Sequence, residues 1–145
     1  VYSNKVTAWQ KGLKPASRSA IKSAGRFVKE FLARGATYTG DALKRAFEDA
    51  EADTIVLLSD GAPTSPDFPS DFLIGQILKD IANRNAARKM RINTFGFEGT
   101  GLWPDKIPGQ PSGPRATPTA KDVETFTGFM KQLAEENHGT FRPIK

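Results

Sequence analysis

Residues 53–63 read DTIVLLSDGAP, and this stretch decides the fold. An apolar, initially β-branched run of five residues stops abruptly at Ser59, Asp60 and Gly61. Such a run is typical of a central parallel strand that is covered on both faces. Ligands bind beyond the carboxyl ends of the strands in open parallel sheets. Asp60, which directly follows this strand, is therefore the first candidate for a functional residue.

The segments on both sides of this strand alternate between helical and extended patterns. Helices are predicted from Pro15 to Gly35 and over residues 41–50, 71–89 and 121–137, and further strands over residues 1–9, 91–97 and 140–144. Thr39 is the expected N-cap of the second helix. This order predicts an α/β fold with a mostly parallel sheet flanked by helices, and Pro143 favours an edge position for the last strand. The buried stripe of the first helix is expected to be Ile21, Ala24, Val28, Phe31 and Leu32.

The composition limits the classes of protein. With 145 residues, the chain is expected to form one domain over residues 1–145, and no stretch approaches the roughly 18 apolar residues of a membrane span. The absence of cysteine excludes disulfides and thiolate sites, and the single His138, expected near a helix end, excludes a histidine-rich metal site. Because the chain starts with Val1, we expect it to be an excerpt or a processed piece, with any targeting signal outside it.

The net charge of +5 is concentrated near the start of the chain. Four of the basic residues lie on one face of the predicted first helix and form a basic stripe, namely Arg18, Lys22, Arg26 and Lys29. No aromatic residues interleave with the stripe as base stacking requires, so a nucleic-acid partner is not expected. The Gly- and Pro-rich residues 99–119 form a predicted loop of unusual length, which is expected to be functional or mobile.

Thr37 is the second candidate, because it lies in a short loop before a helix. A hydroxyl and a carboxylate together are the oxygen ligands that Mg²⁺, Mn²⁺ or Ca²⁺ prefers. Neither Thr37 nor Asp60 is specific alone, since an aspartate after a strand also caps loops or acts as a base. A phosphate-binding loop needs more glycines and a following lysine, which residues 35–41 lack.

Residues 35–43, GATYTGDAL, followed by residues 53–63, resemble von Willebrand factor type A domains. The resemblance continues through residues 91–97 and 129–141, and residues 1–6 are similar to the middle of the family's third strand. It implies a three-layer, Rossmann-like fold and a metal-ion-dependent adhesion site in which Thr37 and Asp60 contribute to binding the metal. A carboxylate from a protein partner completes such a site, and no bond is made or broken.

The sequence departs from this family in one motif. An Asp-x-Ser-x-Ser triplet, which the family's metal site needs, is absent, and Thr64, Ser65 and Ser70 fall at the wrong spacings. We therefore expect an N-terminally incomplete domain. If residues 1–6 lie in the third strand, the family's first two strands and first helix are missing. In the family's strand order, 3-2-1-4-5-6, those two strands lie between the segment at residues 1–6 and the strand at residues 54–58. That strand is expected to expose an unpaired edge and to favour self-association.

Three functions remain open. The first is a non-catalytic, Mg²⁺-dependent (or Mn²⁺- or Ca²⁺-dependent) adhesion or complex-assembly module, with an incomplete site in this chain. The second is a scaffold that keeps the fold without the metal. The third, a hydrolase with Asp60 as base or nucleophile, is not expected, because no second aspartate follows Asp60 two residues later and no Ser, Lys or His pattern lies nearby.

Overall fold

The computed structural model describes residues 1–31, 36–59, 62–97 and 119–144. Their elements are α1 (Arg18–Glu30), α2 (Thr39–Phe47), β1 (Thr54–Ser59), α3 (Ser70–Arg88), β2 (Arg91–Phe97), α4 (Ala120–Glu135) and β3 (Phe141–Ile144). The chain forms two compact units, of which the first holds Val1–Asp53 and Pro63–Arg88, and the second Thr54–Ala62 and Lys89–Lys145. The expectation of one domain over residues 1–145 stays a prediction.

The second unit contains a parallel sheet in the order β1-β2-β3. Its alternating residues on one face, among them Ile92 and Thr94, are fully buried. α4 covers this face, where the Thr94 hydroxyl donates to the Met130 carbonyl over 2.8 Å. The prediction of a parallel α/β arrangement is confirmed, and β3, which carries Pro143, is an edge strand among the described residues as predicted.

α4 ends as the sequence predicts, and its end packs directly on the sheet. His138 adopts a left-handed conformation with φ of 58°, and the Gly139 amide donates to the Ala134 carbonyl. A Cβ atom on Gly139 would lie 1.8 Å from the carbonyl oxygen of Ile92. Glycine is therefore required at position 139 by the close approach of the β2 backbone.

β1 differs from the prediction of a strand covered on both faces. Val56 and Leu58, which point away from α4, are 54% and 52% exposed. Among the described residues β1 pairs with β2 alone, and α4 is the only described helix of this unit, lying on the opposite face. Within this unit, the prediction that helices cover both faces of β1 is therefore wrong. The expected unpaired edge of β1 is observed among the described strands.

The predicted first strand is also wrong for the described residues. The segment contains only an isolated antiparallel bridge between Tyr2 and Val6. The Thr7 amide donates to the Val1 carbonyl at 2.9 Å, and the terminal ammonium of Val1 donates to the Thr7 carbonyl at 3.2 Å. The described segment therefore folds back on itself instead of forming an extended strand.

α1 forms where its periodicity predicts a helix, but its apolar stripe is not buried. Ser17 caps it by accepting a hydrogen bond from the Ala20 amide, yet Ile21 and Val28 are 62% and 58% exposed. Helical spacing predicts which residues share a face, but not that another element covers that face. Leu32 and Gly35 lie outside the described residues. No described helix is long and apolar enough to cross a membrane.

Candidate functional site

The loop that carries Thr37 is held by a reciprocal pair of hydrogen bonds within the first unit. The Thr37 amide donates to the Thr64 hydroxyl oxygen over 2.7 Å, and the Thr64 amide donates to the Thr37 carbonyl over 3.1 Å. Thr64 belongs to the segment that precedes α3, so the two loops in front of α2 and α3 are joined at these residues. Both backbone groups of Thr37 are thereby used.

The next two residues fix how the loop enters α2. Tyr38 donates its amide to the Ser3 carbonyl at 2.9 Å and occupies the N-cap position without a side-chain cap. Thr39, predicted as the N-cap, is instead the first helical residue and is 1% exposed. Its hydroxyl has no hydrogen-bond partner among the described residues. The cap prediction is wrong because the Thr39 side chain is packed inward, where it contributes to the buried face with Leu43.

A cleft of about 430 Å³ lies beside this loop. The polar residues of its lining include Thr37, Thr64 and Ser65, while Ile77 contributes to an apolar wall. α2 approaches α3 closely here, because a Cβ atom on Gly40 would lie only 3.2 Å from Cγ1 of Ile77. Thr37 is therefore on a partly open concave surface rather than in the core.

Arg88 binds the backbone at the C-terminal end of α2, and no sequence pattern predicted this role. Its guanidinium donates to the carbonyl oxygens of Phe47 at 2.6 Å, Asp49 at 2.9 Å, Ala50 at 3.3 Å and Ala52 at 2.9 Å. These carbonyls include the end of a helix, where a cation is favoured. The only signal in the sequence is an arginine in the last turn of α3. Arg88 thus fixes the chain between α2 and β1.

The loop offers one oxygen of the kind that a hard cation accepts. The Thr37 hydroxyl carries no hydrogen bond among the described residues, so its oxygen is uncommitted. No group of three or more His, Cys, Asp or Glu side chains that could hold a metal ion occurs in the described ranges. Asp60, the second predicted ligand, lies outside the described residues, and the pairing of Thr37 with Asp60 stays a prediction.

A family model for the von Willebrand factor type A domain matches residues 1–102. The chain belongs to this family. The parallel β1-β2-β3 sheet with its intervening helices agrees with a fragment of the Rossmann-like von Willebrand factor type A fold, as the sequence resemblance implied.

The curated proteins include a relative of this von Willebrand factor type A chain. The inter-alpha-trypsin inhibitor heavy chain H1 of Mesocricetus auratus is 29% identical over 110 residues, which cover 67% of this chain. The match covers 11% of that relative's length. No solved structure matches the chain. Membership in the family makes the chain a protein-interaction module.

Proposed function

We propose that this module binds a protein ligand through a divalent cation at the Thr37 loop. The observation that carries the proposal is the loop itself, whose backbone is held by Thr64 while the Thr37 hydroxyl has no hydrogen bond among the described residues. An oxygen ligand on an anchored loop loses little conformational entropy when a cation binds. Mg²⁺ fits this donor chemistry, and Mn²⁺ and Ca²⁺ are alternatives.

Each residue has a separate role in this proposal. Thr37 holds the cation through its hydroxyl oxygen, and Asp60 supplies a carboxylate through a bound water. The cation supplies a positive charge that attracts a carboxylate of the protein partner. No bond is made or broken in the partner, so the module is not an enzyme. The protein ligands of this chain leave the metal shell incomplete, and affinity for the free cation is therefore weak.

Calorimetric titration with Mg²⁺ and Mn²⁺ tests this function. We expect Thr37→Ala and Asp60→Ala each to weaken the binding by at least about tenfold, because the first removes an oxygen ligand and the second removes the carboxylate that holds a metal-bound water. Thr127→Ala on α4 and Asp53→Ala at the exposed residue before β1 are matched controls and should bind as the wild type does. Equal heats from the wild type and the two site variants would remove the metal function.

The alternative is a scaffold that keeps the fold and binds partners without a metal. The absence of an Asp-x-Ser-x-Ser triplet from the 145 residues favours this alternative. The parent gene separates the two functions. A triplet encoded some tens of residues before Val1 supports the metal site, and a parent without it supports the scaffold.

Self-association through β1 is a second proposal, based on a separate observation. β1 has β2 as its one strand neighbour among the described residues, contains no charged residue and exposes Val56 and Leu58. An unpaired edge without charged residues favours pairing with another strand. Antiparallel pairing of two copies about Leu57 places Val56 opposite Leu58 of the second copy on the same face.

Sedimentation velocity over a concentration series tests this pairing. We expect Leu58→Lys to abolish the concentration-dependent species, because it places like charges next to the pairing edge. Ile21→Lys makes the same type of change at a residue of α1 that is 62% exposed, and it should leave the association unchanged. A monomeric wild type, or equal effects of both variants, would contradict the proposal.

A further inference from the structure

We infer that Thr64 is a positioning residue that holds Thr37 in the geometry needed for cation binding. The inference rests on the proposed function and adds to it a residue that does not itself bind the metal. The sequence alone predicts no role for Thr64 in the metal site, because its spacing from Asp60 does not fit the missing Asp-x-Ser-x-Ser motif. The structure gives it a different role, as an acceptor for the backbone of the ligand residue.

The geometry separates the side-chain contribution of Thr64 from its backbone contribution. Its hydroxyl oxygen accepts the Thr37 amide at 2.7 Å, which is the shorter of the two bonds between these residues. Its own amide donates to the Thr37 carbonyl, which also accepts the Thr39 amide at 3.0 Å. A side-chain substitution at Thr64 therefore removes one bond and leaves the carbonyl side of Thr37 in place.

The bond that such a substitution removes is the one from the Thr37 amide to the Thr64 hydroxyl oxygen. Without an acceptor at position 64, the Thr37 amide must find water, and the peptide plane between Ala36 and Thr37 gains freedom to rotate. The hydroxyl of Thr37 moves with its own backbone. Residues that orient a metal ligand in this indirect way typically change metal affinity by about 10–100-fold when they are replaced.

Thr64 also links the ligand loop to the chain that follows β1. It comes four residues after Asp60 in the sequence, and the segment between them contains Pro63, which is fully buried. The buried proline limits the freedom of Thr64, since proline fixes its own φ. The acceptor for the Thr37 amide is thus an exposed side chain whose backbone directly follows a buried proline.

Three variants distinguish positioning from general stability. Thr64→Val keeps the shape of the side chain but removes the acceptor, whereas Thr64→Ser keeps the acceptor. Ser65→Ala is the matched control, because its hydroxyl accepts the Asp67 amide at 3.2 Å and does not bond to Thr37. The readouts are amide exchange at Thr37 without metal, the Mg²⁺ dissociation constant by calorimetry, and the thermal midpoint.

In Thr64→Val we expect exchange of the Thr37 amide to accelerate at least tenfold and the Mg²⁺ dissociation constant to rise about 10–100-fold. Thr64→Ser and Ser65→Ala should retain both wild-type values. An unchanged dissociation constant in Thr64→Val, beside clear binding by the wild type, overturns the positioning role alone. A wild type without any Mg²⁺ heat overturns the proposed metal function together with this role.

Discussion

The amide of Thr37 donates a hydrogen bond to the hydroxyl of Thr64, a residue 27 positions further along the chain. This bond and its reciprocal partner connect the loop before α2 to the segment before α3. It leaves the Thr37 hydroxyl free to act as an oxygen ligand, as far as the described residues show. The proposed function depends on this division, in which the backbone of Thr37 is fixed and its side chain is available.

Arg88→Met is expected to destabilise the protein by about 2–4 kcal/mol, because the guanidinium bonds to four backbone carbonyls that otherwise lose their donor. Urea unfolding monitored by circular dichroism measures the change. Arg84→Met is the matched control on the same helix, since Arg84 pairs with Asp80 at 2.9 Å on an exposed surface. The control should cost less than about 1 kcal/mol, and equal costs for the two variants would contradict the role of Arg88.

Gly139→Ala should reduce the free energy of unfolding by more than about 3 kcal/mol, because the added Cβ atom would lie 1.8 Å from the Ile92 carbonyl oxygen. Gly128→Ala, on α4, adds the same atom where nothing lies within 4 Å. It should stabilise the protein by up to about 1 kcal/mol, because alanine has the higher helix propensity. Chemical denaturation of both variants tests the contrast, and a tolerated alanine at position 139 would contradict the packing of this turn.

Asp122→Asn is expected to lower the thermal midpoint at neutral pH. The Thr119 hydroxyl and amide donate to the Asp122 carboxylate at 2.7 and 2.8 Å, and these bonds hold the pKa of Asp122 below its ordinary value of 3.8. Stability from a lowered carboxylate pKa is present above the unfolded-state value and is lost as the pH falls through the folded-state value. The difference between Asp122→Asn and the wild type should therefore stay constant from pH 7 to about pH 5 and shrink as the pH falls below the ordinary value of 3.8. A difference that stays constant down to about pH 2 would contradict the contribution of the charge.

The sequence patterns predicted β2 and α4 of the second unit well, because each of these elements follows a single period. The alternation in β2 placed Ile92, Thr94 and Gly96 on one face, and all three are buried. The helical period of α4 likewise placed Phe126 and Met130 inward, where they are 7% and 0% exposed. In both elements, the apolar residues that recur at regular spacing are also the residues that pack between β2 and α4.

The sequence patterns did not predict burial correctly where the burial of an apolar face depends on whether another element packs against it. The apolar residues Val28 of α1 and Val56 of β1 have the correct periods, yet both are more than half exposed. Local sequence defines an apolar face but does not show that a partner element covers it.

The candidate site was predicted in part. Thr37 was identified from its motif, and the structure places it on an anchored loop beside a cleft. Thr64 was missed because its bond to Thr37 joins residues far apart in sequence, and no local pattern predicts such a bond. Arg88 was missed for the same reason, since its acceptors precede it by 36 to 41 residues.

Titration of the ¹⁵N-labelled protein with substoichiometric Mn²⁺ is the most direct test of a cation site at Thr37. Paramagnetic Mn²⁺ broadens the amide resonances close to the bound ion. We expect the resonances of Thr37 and Thr64 to disappear first and excess Mg²⁺ to restore the spectrum. Uniform broadening, or selective loss at residues other than the Thr37 loop, would contradict the proposed metal site.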